Sequence, residues 1–137
     1  MAAILATGWG GLTSADSSER TFVLDGGPQN WLFPRCAAVM RHSGAGLRTN
    51  KPSLIMPFFG DQPFLGKQIA SLGAGPNPIP VKRLNSQNRA EALREATTNT
   101  SMRQCAEELA ARNHAQDGVA NVVDVIAKHG RAAQPPV

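Results

Sequence analysis

Short apolar runs separated by turns of small residues fill the first half of the chain, and helical spacing fills the second. Ala3–Ala6 (AILA) is apolar and stops at Thr7-Gly8, which predicts a strand. Thr13–Arg20 is polar and rich in serine, the pattern of a loop or a weak helix. Thr21–Leu24 (TFVL) is a β-branched and aromatic strand, closed by the turn cluster Asp25-Gly26-Gly27-Pro28. Ala37–Arg41 (AAVMR) and Ser53–Met56 (SLIM) predict two more strands. Neither alternates between apolar and polar positions, as suits a parallel sheet covered on both faces.

Asp61-Gln62-Pro63 reads as a helix start, with aspartate able to cap the free amides and proline tolerated in the first turn. Leu65, Ile69 and Leu72 share one face, and Gly73 can end the helix. Gly75–Pro80 (GPNPIP) is a rigid extended link. Asn85 or Ser86 can cap a helix through Thr97. A second helix runs from Thr100 or Ser101 to about Asn113 and carries Met102, Cys105 and Leu109. A third covers about Gln116–His129, with Val119, Val122, Val123 and Ile126 on one side. Strands with short helices followed by a helical end predict an α/β domain with a mostly parallel sheet. Its extent is read as residues 1–130, with 131–137 a flexible tail. The chain starts almost directly inside a strand, as the later part of a larger unit would.

A length of 137 residues suits one domain with a core of its own. The charge, +4 with neutral histidines, is spread along the chain without a basic run. That points away from nucleic acid and suits a phosphorylated small molecule. Cys36 and Cys105 are far apart and lack ligand spacing, so neither a disulfide framework nor a metal site is expected, and a reducing compartment fits. The first residues lack the charged start of a signal peptide, and no stretch approaches the ~20 apolar residues of a membrane span.

In a parallel α/β sheet, ligands bind beyond the carboxyl ends of the strands. His42-Ser43-Gly44-Ala45-Gly46 follows one strand and Gly60-Asp61-Gln62 follows the next, so the two can line one crevice. Small residues let a phosphate approach backbone N–H groups, and a helix starting there adds its positive end. His42 can donate a hydrogen bond to a phosphate oxygen, and Asp61 and Gln62 suit vicinal hydroxyls. Phosphate together with hydroxyls describes a nucleotide sugar. Each signal also has a plainer reading: Gly-Ala-Gly as a turn, His42 as a structural strand-end residue, Asp61 as a cap, Gln62 as a solvated first-turn residue. Trp9 and Trp31 read as core or rim packing, and His114 and His129 as surface residues of helices.

The order of these segments is more specific than any one of them. Gly8-Trp9-Gly10-Gly11-Leu12, Trp31-Leu32-Phe33-Pro34-Arg35-Cys36-Ala37-Ala38-Val39, His42–Gly46 and Pro57-Phe58-Phe59-Gly60-Asp61-Gln62-Pro63-Phe64 together resemble the donor half of UDP-glycosyltransferases. The likeness is to the sterol 3-beta-glucosyltransferase-like group, and it extends through Leu93–Met102 and Asp117–His129. The resemblance implies a partial Rossmann-like parallel sheet with helices, the C-terminal half of a two-domain GT-B enzyme. It implies that His42 contacts the diphosphate, that the backbone of Ser43, Gly44, Ala45 and Gly46 helps cradle it, and that Asp61 and Gln62 bind the sugar. Gln29 falls near the uracil side. The ligand implied is UDP-glucose or a related UDP-sugar, a co-substrate, with no cofactor and no metal. The reaction implied is inverting transfer of a hexose to a sterol or another lipophilic hydroxyl. The location implied is cytoplasmic, peripheral to membranes in longer relatives.

Two departures from the family pattern bear on activity. The acceptor half, which usually supplies the catalytic base, has no counterpart in these residues, and neither His114 nor His129 matches that base. An acceptor-binding domain or chain is therefore the expected partner, and the chain alone is expected to be catalytically incomplete. The family turn also continues with a further stretch, often Thr-Thr-Ala-Ala-Gly, where Gly46 here runs straight into Leu47-Arg48. The eleven residues His42–Pro52 form the whole crossover, where parallel strands usually need about a dozen or more. Ser43 also stands where the family has glycine. These changes predict a weakened phosphate grip. A non-catalytic nucleotide-binding or partner-binding module and a non-functional fragment are the alternatives.

Overall fold

The computed structural model describes residues 2–6, 18–42, 49–116 and 118–132, the last three through their backbone alone. The Gly8–Leu12 motif with Trp9, the cradle Ser43–Gly46, and residues 133–137 of the expected tail lie outside the described residues. Two compact units divide the chain, Met1–Cys36 and Ala37–Val137.

In the first unit, β1 (Ala3–Ala6) pairs in parallel with β2 (Thr21–Leu24), Ala3 opposite Thr21 and Ala6 opposite Leu24. A four-residue helix α1 (Gln29–Leu32) follows the predicted Asp25–Pro28 turn and passes into a 3-10 turn, Phe33–Arg35. Trp31 is exposed, so it is rim and not core. Arg35 folds back over it, its guanidinium carbon 4.2 Å from the ring centroid and its Nη1 donating to the Trp31 carbonyl at 2.7 Å.

The second unit is built on β3 (Val39–Arg41) and β4 (Ser53–Ile55), parallel neighbours with Val39 opposite Ser53 and Arg41 opposite Ile55. Every residue of β4 is buried, as its lack of alternation predicts for a strand covered on both faces. Helix α2 (Gln62–Ser71) and helix α3 (Ser86–Thr98) both approach it. Ile55 packs with Ile69, Ala74 and Ala106, with Leu109 against the cluster. Ile55 and Ile69 are each 1% exposed, and burying such a side chain is worth about 1.5–3 kcal/mol. Leu72, placed on this face by the sequence, is instead exposed at the end of α2, and Gly66 shares the buried side with Ile69.

The segment after α2 does more than link. Ser53 donates to the Ala74 carbonyl at 3.0 Å, Ile79 donates to the Ile55 carbonyl at 3.0 Å, and Val81 donates to the Pro57 carbonyl at 3.3 Å. The 74–81 stretch thus lies along β4 as a further edge, extended over 76–80 and passing at Val81 into a 3-10 turn, Val81–Arg83. Gly75 comes so close to β4 that an added Cβ would collide with the Ser53 carbonyl oxygen. The rest of the unit is helical. Asn85 caps α3 through a reciprocal pair with Asn88, and Asn99 caps helix α4 (Thr100–Ala115) by accepting from the Met102 N–H at 3.0 Å. Helix α5 (Gly118–Ala132) reaches two residues into the predicted tail.

Candidate functional site

Parallel pairing of β3 and β4 sets their carboxyl ends side by side. The Met56 N–H donates to the Arg41 carbonyl at 2.7 Å, which carries the register one residue past β4. His42 therefore leaves β3 next to Pro57-Phe58, and the two rings meet edge to face, His42 against Phe58, with centroids 6.0 Å apart and planes at 82°. His42 is exposed. Arg41, one residue earlier, is half-buried, and desolvation lowers its pKa below the ordinary guanidinium value. It stays cationic at neutral pH. The exposed imidazole of His42 thus stands at the strand end, where it can donate to an anion.

Beyond β4 the chain turns at Gly60, whose φ of 64° is a left-handed conformation that glycine adopts freely. That turn delivers Asp61 and Gln62 to the start of α2. The sequence expects Asp61 to cap this helix with its side chain, and the structure corrects that. Asp61 does occupy the N-cap position, but its φ of −81° and ψ of −10° are helical, and its side chain makes no capping bond. A capping side chain needs an extended backbone to reach the N2 or N3 amide, and Pro63 has removed one of those amides. The exposed carboxylate is left to face solvent or a ligand.

Gln62 is not the solvated bystander of its plainer reading. Its Oε1 accepts from the Phe58 N–H at 2.7 Å and from the Phe59 N–H at 3.4 Å. The side chain closes the 58–62 turn from inside, leaving its amide N–H groups as donors for a ligand. Sequence reasoning missed this role and the aromatic neighbours that go with it. Phe58, Phe59 and Phe64 are all largely exposed around the same turn. The three phenylalanines flanking Gly-Asp-Gln were the available signal.

His42, Asp61 and Gln62 are therefore brought to one end of one sheet. Gln29 stands exposed at the first position of α1 in the other unit. His114 and His129 are exposed on α4 and α5, as predicted. Both cysteines are free thiols, and among the described residues no group of three or more potential ligands could hold a metal ion. No described helix is long and apolar enough to cross a membrane.

No family model matches the chain. Curated relatives do. A sterol 3-beta-glucosyltransferase of Arabidopsis thaliana is 39% identical over 132 residues, which are 92% of this chain and 21% of that protein. A sterol 3-beta-glucosyltransferase of Aspergillus clavatus is 38% identical over 136 residues, 90% of this chain and 10% of that protein. The chain thus spans only a minor part of the length of these relatives. Among solved structures, the glycosyltransferase VinC in complex with dTDP matches 82% of this chain at 23% identity and a TM-score of 0.72. The glycosyltransferase of kitacinnamycin matches 91% at 19% identity and a TM-score of 0.74, and the chain covers 34% of it. The fold is thus that of part of a GT-B enzyme, and the sequence identity over nearly all of its own length makes the chain a member, as a segment, of the sterol 3-beta-glucosyltransferase-like group of UDP-glycosyltransferases.

Proposed function

We propose that the chain is the nucleotide-sugar-binding part of a UDP-dependent hexosyltransferase acting on a sterol or another lipophilic hydroxyl. The observation that carries this is the shared placement of His42 and Gly60-Asp61-Gln62 beyond the carboxyl ends of the parallel pair β3 and β4. In this reading His42 and the Ser43–Gly46 backbone hold the diphosphate. Asp61, its carboxylate not used as a cap, accepts from two sugar hydroxyls, and the Gln62 amide donates to a third. Gln29 serves the uracil side. Imidazole and backbone donors steady the diphosphate as charge develops on it when the anomeric bond breaks. The base that takes the acceptor proton belongs to an acceptor-binding domain or chain. A cytoplasmic setting accords with the two free thiols.

A second reading, a non-catalytic partner-binding module, is favoured by one observation: Val119, Val122, Val123 and Ile126 of α5 are all more than half exposed.

The test is calorimetric titration of the purified chain with UDP and UDP-glucose, beside a version with Thr-Thr-Ala-Ala-Gly inserted after Gly46. Binding by both versions, tighter in the longer, is the expected result. Binding by the longer version alone would assign the chain a damaged donor site. Binding by neither, in proteins shown to be folded, would overturn the donor reading.

A further inference from the structure

The geometry points to Gln62 as a positioning residue for His42, acting through Phe58, so that the sugar end and the phosphate end of the candidate site are mechanically one unit. This rests on the donor-site reading above and deepens it. Three contacts make the chain of action. The Gln62 Oε1 accepts from the Phe58 N–H at 2.7 Å, and with a longer bond to the Phe59 N–H it fixes the backbone of the turn. The Phe58 ring, carried by that backbone, stands at 82° to the His42 imidazole with centroids 6.0 Å apart. The Arg41 carbonyl, immediately before His42, is tied to the Met56 N–H two residues before Phe58.

The need for such a device follows from the exposure of both rings. Phe58 is 60% exposed and His42 is exposed, so no surrounding core holds either one in place. An exposed imidazole at a strand end samples several rotamers, and an edge-to-face partner selects among them. That partner is itself on a loop, and a loop aromatic holds its place only if its backbone is held. Gln62 supplies the hold with an uncharged oxygen acting inside the turn. A ligand hydroxyl that bonds the Gln62 amide would tighten the same turn and, through Phe58, the imidazole at the diphosphate.

The experiment is proton–nitrogen NMR of the histidine rings of the full chain without ligand. His42→Asn assigns the His42 signals, and Phe58→Leu, Gln62→Met and Gln62→Glu are then compared. Gln62→Met keeps the length of the side chain and removes the acceptor, whereas Gln62→Glu keeps an acceptor oxygen. The expected result is that Phe58→Leu and Gln62→Met shift the His42 ring resonances alike, Gln62→Glu restores the parent positions, and the signals of His114 and His129 stay fixed. In titrations of the same proteins, Phe58→Leu should weaken binding of UDP, which lacks the sugar, by about two- to tenfold. His42 resonances unmoved by Phe58→Leu, or moved by Phe58→Leu but not by Gln62→Met, would overturn the inference. The ring signals are read without nucleotide, so they judge this inference even where failure of both the chain and its lengthened version to bind UDP overturns the donor reading.

Discussion

Asp61 and Gln62 are adjacent in sequence and engaged in opposite ways. Asp61 has a carboxylate that the helix does not use, and Gln62 has an amide whose oxygen is spent inside its own turn. Their residue types, together with a histidine after the preceding strand, made the candidate site legible in the sequence. What pins the site was not legible, because the Gln62 bond depends on a left-handed Gly60 turning the Phe58 and Phe59 amides back toward α2. Different roles predict different losses. His42→Ala should weaken both UDP and UDP-glucose by about tenfold or more, since a hydrogen bond to a charged group is worth about 1.5–3 kcal/mol. Asp61→Ala should weaken UDP-glucose and leave UDP nearly unchanged. Calorimetry on the two variants with the two ligands checks this, and equal effects of both changes on both ligands would sink the assignment.

Elements with a clear period were legible and those without one were not. The strands Ala3–Ala6 and Thr21–Leu24 fall where the apolar runs end at turns, and Asn85, one of the two expected caps, caps α3. Helix α1 and the 3-10 turn after it are too short to show a period, and Pro34 interrupts them. The edge along β4 was hidden by its own composition. Pro76, Pro78 and Pro80 read as a link, yet prolines at alternate positions leave the Ile79 and Val81 amides on one side, where both donate toward β4 and its extension. Two substitutions separate local from tertiary support. Asn85→Ala removes one half of the capping pair and should cost about 1 kcal/mol. Gly75→Ala drives a methyl into the Ser53 carbonyl and should cost about 1–3 kcal/mol or more, since backbone of the central strand must move. Urea unfolding followed by circular dichroism ranks the two, and a Gly75→Ala protein as stable as its parent would show that the 74–81 edge does not lie on β4.

At the scale of the whole molecule, binding and turnover separate. In the proposed site, the loops after β3 and β4 supply donors for a diphosphate and acceptors for sugar hydroxyls, which is binding chemistry. Transfer to a hydroxyl also needs a group that removes its proton at hydrogen-bond distance. The chain has three histidines. His42 is committed to the phosphate side in the proposed site, and His114 and His129 lie exposed on α4 and α5, outside the loops after β3 and β4. Asp61 is the carboxylate nearest in sequence to the proposed sugar site, and its task there is to hold hydroxyls of the donor. The purified 137-residue chain should therefore bind UDP-glucose without glucosylating a sterol. Incubating it with UDP-glucose and a sterol in detergent, and following steryl glucoside by mass spectrometry alongside UDP release, makes the check. Neither product should accumulate above the protein-free control. Steryl glucoside formed by this chain would mean that it contains an acceptor site and a base, and His114→Ala and His129→Ala would then show whether either helix supplies that base.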